Sequence, residues 1–471
     1  MSDQHNAKMM GCAGHPLAKT PNLDSLAARG TRFVDAYTTC PICVPARASF
    51  ATGRYVHDIG YWDNSIAYDG RVPSWGHKLQ EAGVRVESIG KLHYRREEDP
   101  TGFDKQHIPM HIIDGIGMVE LSIRKQFPNF VRPPPKLWMI VEGASVGESE
   151  YTRYDRRVAD IAVQWLQDAA GAQRPWVLFV SFATPHYPLV APKEFFDLYP
   201  IERMPDPKYG FGSGYQPHPW LAELVAAGAP EPLAQRKALA AYLGVVSFMD
   251  AQVGRVLTAL DTAGLRNSTR VLYTSDHGEN AGKRGFWGKS NHYEEAVAVP
   301  MILAGEGVPV GKLSMTPASL IDAYPTVLDS VGLAAKESDI PGKSLFDLAN
   351  KNDDRNRTAF SEYHAAFSPS ASYMLRKGRF KYIYYVGFDP ELFDLKGDPE
   401  ESTNLAALPD YSKTAKELEM LLRTLVNPED ADRRANEAQR LLIESRGGPE
   451  QVMANLLTGK LYTPVPSGLI S

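Results

Sequence analysis

The sequence predicts an α/β protein: a large, mainly parallel sheet sandwiched by helices, with a smaller C-terminal α+β unit containing an antiparallel sheet. Three observations predict it. Helical segments alternate with near-continuous apolar strands along most of the 471 residues, the pattern of a parallel sheet covered on both faces. At this length, 43% hydrophobic content supplies a large core and more than one structural unit. A polar, turn-rich stretch, "ANKNDDRNRT" (Ala349–Thr358), separates this region from hairpin-like strands and charged helices. The expected domains are 1–355 and 356–471.

The elements follow in order. "TPNLDSLAARGTRF" gives a turn and a short amphipathic helix ending at Gly30. "SWGHKLQEAGVRVESIG" gives a helix closed by Gly83 and a strand from Val84 to Ile89. The region from Pro100 to Glu150 contains "RPPPK" and is expected to form loops that shape a pocket, together with Tyr209–Trp220. A buried strand is expected from Trp176 to Phe182. A long helix runs from about Gln235 to Ala263, with Leu239, Leu243, Val246 and Val253 at helical spacing. "RVLYTSDHG" is the next strand. Beyond the boundary, "SYMLRKGRFKYIYYV" and "ELFDLKGDP" form hairpin strands, followed by charged helices from Tyr411 to about Ser445.

Composition excludes several classes. Formal net charge is -5 and no basic tract stands out, so nucleic acid is not an expected partner. Three cysteines are too few for a disulfide framework. The N-terminus, "MSDQHNAKMMGCAGHP", lacks a basic segment followed by an apolar one, and no run of eighteen apolar residues exists. The expectation is a soluble, cytoplasmic protein with no membrane span; a homo-oligomer is compatible with the composition.

In doubly wound sheets, ligands sit beyond the carboxyl ends of the strands. Polar clusters fall at four such places. Asp276-His277 follows "RVLYTS", Lys91 and His93 follow "VRVESIG", and His186 follows "WVLFVSFATP". Asp3 stands where a very short or missing strand would end. All are metal-ligand or acid–base residue types.

"TTCPICVPARASFATGR" (Thr38–Arg54) holds Cys40 and Cys43. A redox pair would open a helix in a small βαβ domain, and a structural zinc site would need two further close ligands. Neither explains Pro45, Arg47 and Thr52-Gly53. Cys43-x-Pro45-x-Arg47 with the trailing Thr-Gly resembles the sulfatase signature. "GKLH", "TPHYPLVAP", "TSDHGE" and "GKSNHYEEAVAVP" resemble further blocks of that family, in its order. "KYIYY" and "LFDLKGDPEESTNL" resemble its smaller domain. "SDQ", "YWDN" and "SDHG" look closest to the choline-sulfatase and phosphonate monoester hydrolase branches.

The resemblance implies an alkaline-phosphatase-like fold and a hydrolase of sulfuric esters. It selects Cys43, which a maturation enzyme of that family converts to formylglycine, and makes Cys40 a bystander. It implies one divalent ion (calcium or manganese, or magnesium) on Asp3, Asp276, His277 and residue 43. Lys91 and Lys289 would grip the anion, with Arg47 beside residue 43. His93 would be the base near residue 43 and His186 the acid for the leaving group; Gln4 and Asn64 would contact substrate. His5, His15, His218 and Cys12 are read as structural or solvent-facing, and Tyr293, Glu294 and Glu295 as support for Lys289.

The chemistry agrees. A sulfate ester is a tetrahedral anion, and attack on it builds charge on its oxygens that a cation and flanking Lys and Arg stabilise. If a helix begins near Cys43, Arg47 shares its face. Two departures matter. Many sulfatases carry paired aspartates where this chain has Asp3-Gln4, so the site is one charge poorer. The family's first strand precedes that aspartate, where this sequence has Met1 and Ser2. Three alternatives stay open: a phosphonate monoester or phosphodiester hydrolase with the same machinery, a catalytically silent binding homologue, and a thiol oxidoreductase.

Overall fold

The computed structural model describes all residues except 134–135, 173, 209–215, 227–229, 334–339, 456–461 and 470–471. Helix α1 (Pro21–Ala28) leads into strand β1 (Gly30–Phe33). Helix α2 (Cys43–Thr52) starts at Cys43 and stops at Gly53, whose φ of 66° is a left-handed C-cap that glycine adopts without strain. Helix α3 (Trp75–Glu81) is capped by the Ser74 side chain, which accepts from the amides of Gly76 and His77. It feeds β2 (Arg85–Lys91), and β3 (Lys105–Met110) follows. A capping box of Ser149 and Thr152 opens α4 (Glu150–Asp168), and β4 (Trp176–Ser181) comes next. Helix α5 (Pro232–Thr262) begins on a proline, the position where a missing N–H costs nothing. Then come β5 (Val271–Thr274), β6 (Met301–Ala304), β7 (Lys312–Ser314) and α6 (Ala323–Ser330).

The main sheet comes as two leaves. One has the order β3-β2-β4 and is parallel throughout. The other has the order β7-β1-β6-β5, with β1 and β7 parallel and β6 antiparallel to both its neighbours. Residues Met1–Asp3 lie between the leaves, bridging Ser2 to Ser275 and Asp3 to Pro185, both in parallel sense. One face packs under α1, α4 and α5 through Leu23, Leu26, Tyr154, Val158, Trp165 and Met249. The other packs on α2, α3 and α6 through Phe50, Trp75, Leu79, Tyr324 and Leu328.

Two expectations change, and a third point concerns the long helix. The Pro100–Glu150 region is not all loop: β3 lies in it and extends the sheet. Strand β4 was expected to be buried, yet Trp176–Val180 are only half-buried. Helix α5 is long and apolar enough to cross a membrane by composition alone, but 72% of that stretch is buried within the molecule, which makes it a core helix.

The C-terminal region is a four-stranded antiparallel meander of β8 (Ala359–Tyr363), β9 (Ser372–Lys377), β10 (Phe380–Tyr385) and β11 (Glu391–Asp394). Helices α7 (Ser412–Leu425) and α8 (Pro428–Glu444) follow. Where the chain crosses into it, Arg357 forms a two-pronged ion pair with Asp322, at 2.6 and 2.9 Å. Asp322 is fully buried and also accepts from the amides of Ser319 and Lys343, each at 2.8 Å. Arg357→Met strands that carboxylate. It should lower unfolding free energy by about 3 kcal/mol, measured by urea denaturation; a change under about 0.5 kcal/mol, the size of an ordinary surface substitution, would show that the pair carries no such weight.

Candidate active site

Strand ends deliver the site. The loop after β5 carries Asp276 and His277, β2 ends at Lys91 with His93 two residues on, and β4 runs on to His186. The first turn of α2 presents Cys43. The Cys43 Sγ, one oxygen each from Asp3 and Asp276, and a His277 ring nitrogen all lie within 4.8 Å of one another, and all four residues are buried. Individual distances are 3.1 Å from Cys43 Sγ to His277 Nε2 and 3.8 Å to Asp3 Oδ1. His277 Nδ1 donates to the Gly278 carbonyl at 3.0 Å. Its bare Nε2 lone pair therefore faces the carboxylates, the tautomer that a metal ligand needs. These four residues fit a divalent cation, with Cys43 Sγ standing where an oxygen of a modified residue 43 would be.

Arg47 sits behind them, 2% exposed. Its Nε donates to Asp276 Oδ2 at 2.8 Å and its Nη2 to Asp3 Oδ2 at 3.2 Å. Its Nη1 donates to the Lys91 carbonyl at 2.7 Å and to Ser181 Oγ at 3.0 Å. Lys91 Nζ pairs with Asp3 Oδ2 at 2.6 Å and lies over the Tyr151 ring. Lys289 Nζ makes three contacts: Gln4 Oε1 at 2.7 Å, His186 Nε2 at 2.8 Å and Cys43 Sγ at 3.1 Å. His186 Nδ1 donates to the Tyr187 carbonyl at 2.7 Å, so its Nε2 is the bare nitrogen.

Electrostatics follow from this crowding. Burial alone would raise the Asp3 carboxyl, but the Lys91, Arg47 and Lys289 cations outweigh it and hold it well below its usual range. Burial, reinforced by Asp3, pushes the Cys43 thiol up to about 11. Burial lowers His277 to about 4. It also drives His93 and His186 well below the usual imidazole value, helped by Lys91 at the first and Lys289 at the second. All three histidines are neutral at pH 7.

The remaining expected residues are placed as follows. Gln4 has φ of 65°; its side-chain amide donates to Glu279 and its backbone amide to Asp276 Oδ1 at 3.1 Å. Asn64 Oδ1 accepts from the Val44 amide at 3.0 Å, satisfying an N–H in the first turn of α2. Its Nδ2 has no partner among the described residues. His93 Nε2 meets Thr463 Oγ1 at 2.8 Å, while its Nδ1 is buried without a partner among the described residues. Cys40 is buried, unpaired and raised well above the ordinary thiol value by burial. Two such thiols do not make a reactive redox pair. Of the Tyr209–Trp220 segment, residues 209–215 lie outside the described residues; His218 stacks on Tyr385 and Trp220 donates to the Ser370 carbonyl.

Sequence reasoning missed four supporting residues. Glu279 accepts from the amides of Ala281 and Gly288 and from Gln4, fixing the loop that carries Lys289. Asp155, on α4, accepts from the amides of Ala183 and Thr184 at 2.8 Å each and so holds the turn before His186. Ser181 holds Arg47. Thr463, 370 residues from His93 in sequence, also offers its carbonyl to Tyr151 Oη at 2.6 Å. Glu279 stood inside the quoted "TSDHGE" block, and Thr463 carried no signal at all.

Comparison with known proteins agrees with this geometry. Residues 1–333 match the Sulfatase family model, and residues 282–427 match that of the N-sulphoglucosamine sulphohydrolase C-terminal region. A choline-sulfatase of Rhizobium meliloti is 33% identical over 87% of this chain and 82% of its own. Bovine (Bos taurus) arylsulfatase K is 28% identical over 91% of this chain and 81% of its own. The crystal structure of a phosphonate monoester hydrolase of Agrobacterium radiobacter superposes with a TM-score of 0.72 at 22% identity, over 90% of this chain and 94% of that one. With the signature Cys43-x-Pro45-x-Arg47 opening α2 at the centre of these strand ends, the chain belongs to the sulfatase family, hydrolases of sulfuric ester bonds.

Proposed function

We propose that the chain cleaves a small sulfate monoester, using a formylglycine derived from Cys43 and one divalent cation held by Asp3, Asp276, His277 and residue 43. The buried four-ligand cluster carries this reading. Around it, Arg47, Lys91 and Lys289 oppose the cluster's two carboxylates and the buried Glu279 behind Gln4, so a bound divalent ion leaves a positive cavity that an anionic ester neutralises. Carboxylate oxygens suit calcium, manganese or magnesium, and the His277 imidazole favours manganese or magnesium over calcium.

The cation would neutralise charge on the sulfate oxygens, and the hydrated formylglycine would supply the attacking oxygen. The chain's own residues do the rest. Lys91 and Lys289 flank residue 43 and hold the sulfuryl oxygens. His186 Nε2 points at Lys289; an arriving sulfate sets negative charge beside that nitrogen and raises its proton affinity, so Nε2 takes up a proton from solvent as the anion binds and passes that proton to the departing oxygen. His93, neutral and with an unpartnered buried nitrogen, takes the proton whose loss releases sulfate from residue 43. Asn64, 9% exposed, stands with Lys289 (8%) and Tyr187 (9%) among the more open residues of the site, where its Nδ2 can donate to a substrate oxygen. The choline-sulfatase relative makes choline O-sulfate the first ester to assay.

Side-by-side kinetics on an aryl sulfate, choline O-sulfate, a phenylphosphonate ester and a phosphodiester test the assignment. Expected is the highest kcat/KM on a sulfate; a phosphonate or phosphodiester ahead of both sulfates contradicts it. Intact mass should show a loss of roughly 18 Da on the peptide containing Cys43, the thiol-to-aldehyde change. An unconverted Cys43 in active protein contradicts the mechanism. Cys43→Ala should abolish turnover while Cys40→Ala retains most of it.

The histidines should separate by leaving group. His186→Ala should slow an unactivated alkyl sulfate by roughly a hundredfold to ten-thousandfold and a nitrophenyl sulfate far less. His93→Ala should slow both to a similar rate, with a burst of released alcohol. Thr463→Val, which removes only the hydroxyl on His93, should reproduce that burst with a smaller fall in kcat and little change in KM. A Thr463→Val enzyme with unaltered kcat would show that the hydroxyl does not position His93.

A further inference from the structure

Residues 116–132 form a wall beside Asn64. At Gly117 the backbone presses on it so closely that a Cβ would come within 2.5 Å of the Asn64 carbonyl oxygen. Arg124 anchors the same segment: it is buried, and its Nε donates to Gln439 Oε1 at 2.9 Å. Gln439, on α8, donates in turn to Asp63 Oδ2 at 2.8 Å, one residue before Asn64. The segment also meets the loop between β8 and β9, where Ala366 N donates to the Leu121 carbonyl at 2.9 Å. Tyr363 Oη donates to the Ala366 carbonyl at 2.7 Å and also bonds Ser290, the neighbour of Lys289. The wall therefore borders both Asn64 and the Lys289 loop, the open side of the site.

Arg132 ends this segment. Its guanidinium carbon lies 4.4 Å from the centre of the Phe367 ring, and its charge reaches the Tyr363 phenol. Phe367 holds φ of 67°, a left-handed conformation that a bulky side chain adopts only under strain. Among the described residues Arg132 has no ion pair, and its one hydrogen bond is long, Nη1 to the Ile123 carbonyl at 3.4 Å. Glu120 and Glu223 act on it through space, neither as an ion pair. Burial lowers the Arg132 guanidinium and raises the Glu120 carboxyl, so each loses water without gaining a partner. Most of a fork of five N–H donors is left unspent at the mouth of the site.

We propose that Arg132 sets the substrate class: it receives a second anionic group, a carboxylate or a sulfate, on the alcohol part of the ester, while Lys91 and Lys289 hold the sulfate that is cleaved. This role rests on the sulfate-ester function proposed for the site. A guanidinium stacked on an aromatic face keeps its N–H edge free, and that edge matches two oxygens of such a group. The anion supplies the partner charge that the half-buried guanidinium lacks. Phe367 holds the fork in place, so little side-chain freedom is lost on binding. An alcohol carrying a positive charge, as in choline O-sulfate, meets repulsion from Arg132. Glu120 and Glu223 would favour that same cation, so the sign of the preferred charge separates the two possibilities.

Sulfonates, which the enzyme cannot hydrolyse, test recognition apart from turnover. Calorimetry on the full chain compares alkanesulfonates of three to six carbons whose far end carries a sulfonate, a carboxylate, a methyl group or a trimethylammonium group. Expected is at least about tenfold tighter binding of an anionic-ended ligand than of its methyl-ended match, with the trimethylammonium form weakest. The sulfonate and carboxylate arms tell which anion fits better. Arg132→Gln should bring the anionic-to-methyl ratio close to one, and Arg132→Lys should restore part of it. No preference for either anion, a preference for the trimethylammonium form, or a preference that survives Arg132→Gln overturns the proposal. Turnover of 4-nitrophenyl sulfate, measured alongside, judges the sulfate-ester function separately: its absence contradicts that function, and the sulfonate ratio still decides the role of Arg132.

Discussion

One buried guanidinium holds this site together. Arg47 spends its donors on Asp3, Asp276, the Lys91 carbonyl and Ser181, which lie at the start of the chain and at the ends of β5, β2 and β4. No other described side chain ties these four places to one point. Burying a charge this deeply is tolerable only when it is paired and fully hydrogen-bonded, so the arrangement constrains every partner. Because α2 starts at Cys43, the residue four positions before Arg47 lies on the same helix face. Fixing Arg47 against the two aspartates therefore fixes Cys43 against them as well. With four of its five N–H donors committed to these partners, Arg47 is placed to act on the chemistry through Asp3 and Asp276.

Charge balance then sets the protonation of everything nearby. Arg47, Lys91 and Lys289 stand against the two carboxylates of the cluster and the Glu279 carboxyl behind Gln4, and burial strips water from all of them. Asp3 stays ionised because Lys91 lies 2.6 Å away. The histidines cannot add a further positive charge and stay neutral, which leaves bare nitrogens on His277 and His186. In the proposed mechanism the bare His277 Nε2 would take the cation, and the bare His186 Nε2 would gain its proton only when an anion arrives, so that proton affinity would follow substrate charge.

Much of this was legible in the sequence, for local reasons. The four-residue spacing of Cys43 and Arg47 declares a shared helix face, and the strand-end rule gathers Lys91, His93, His186, Asp276 and His277 before any coordinate is seen. What escaped depends on long-range closure. The strand "KQHIPM" is an edge strand with a proline and mixed polarity, which lacks the apolar run of a central strand. Glu279 looks like any loop acid until the loop folds back so that Gly288 donates to it. Thr463 comes to His93 only because the C-terminal segment returns across α4, where Tyr151 and Glu150 hold it. The half-burial of β4 is likewise invisible to pattern, since an apolar run reads the same whether one edge of the strand is paired or both.

The account's central claim is that Asp3, Cys43, Asp276 and His277 form a single cation site on which turnover depends. Elemental analysis of the purified chain, alongside its activity after chelation and in Asp276→Asn, tests it most directly. The account predicts about one divalent ion per chain, lost together with activity on chelation and absent from Asp276→Asn, whose circular dichroism remains that of the parent. Undiminished turnover in protein holding less than about a tenth of an equivalent of any divalent metal would contradict it.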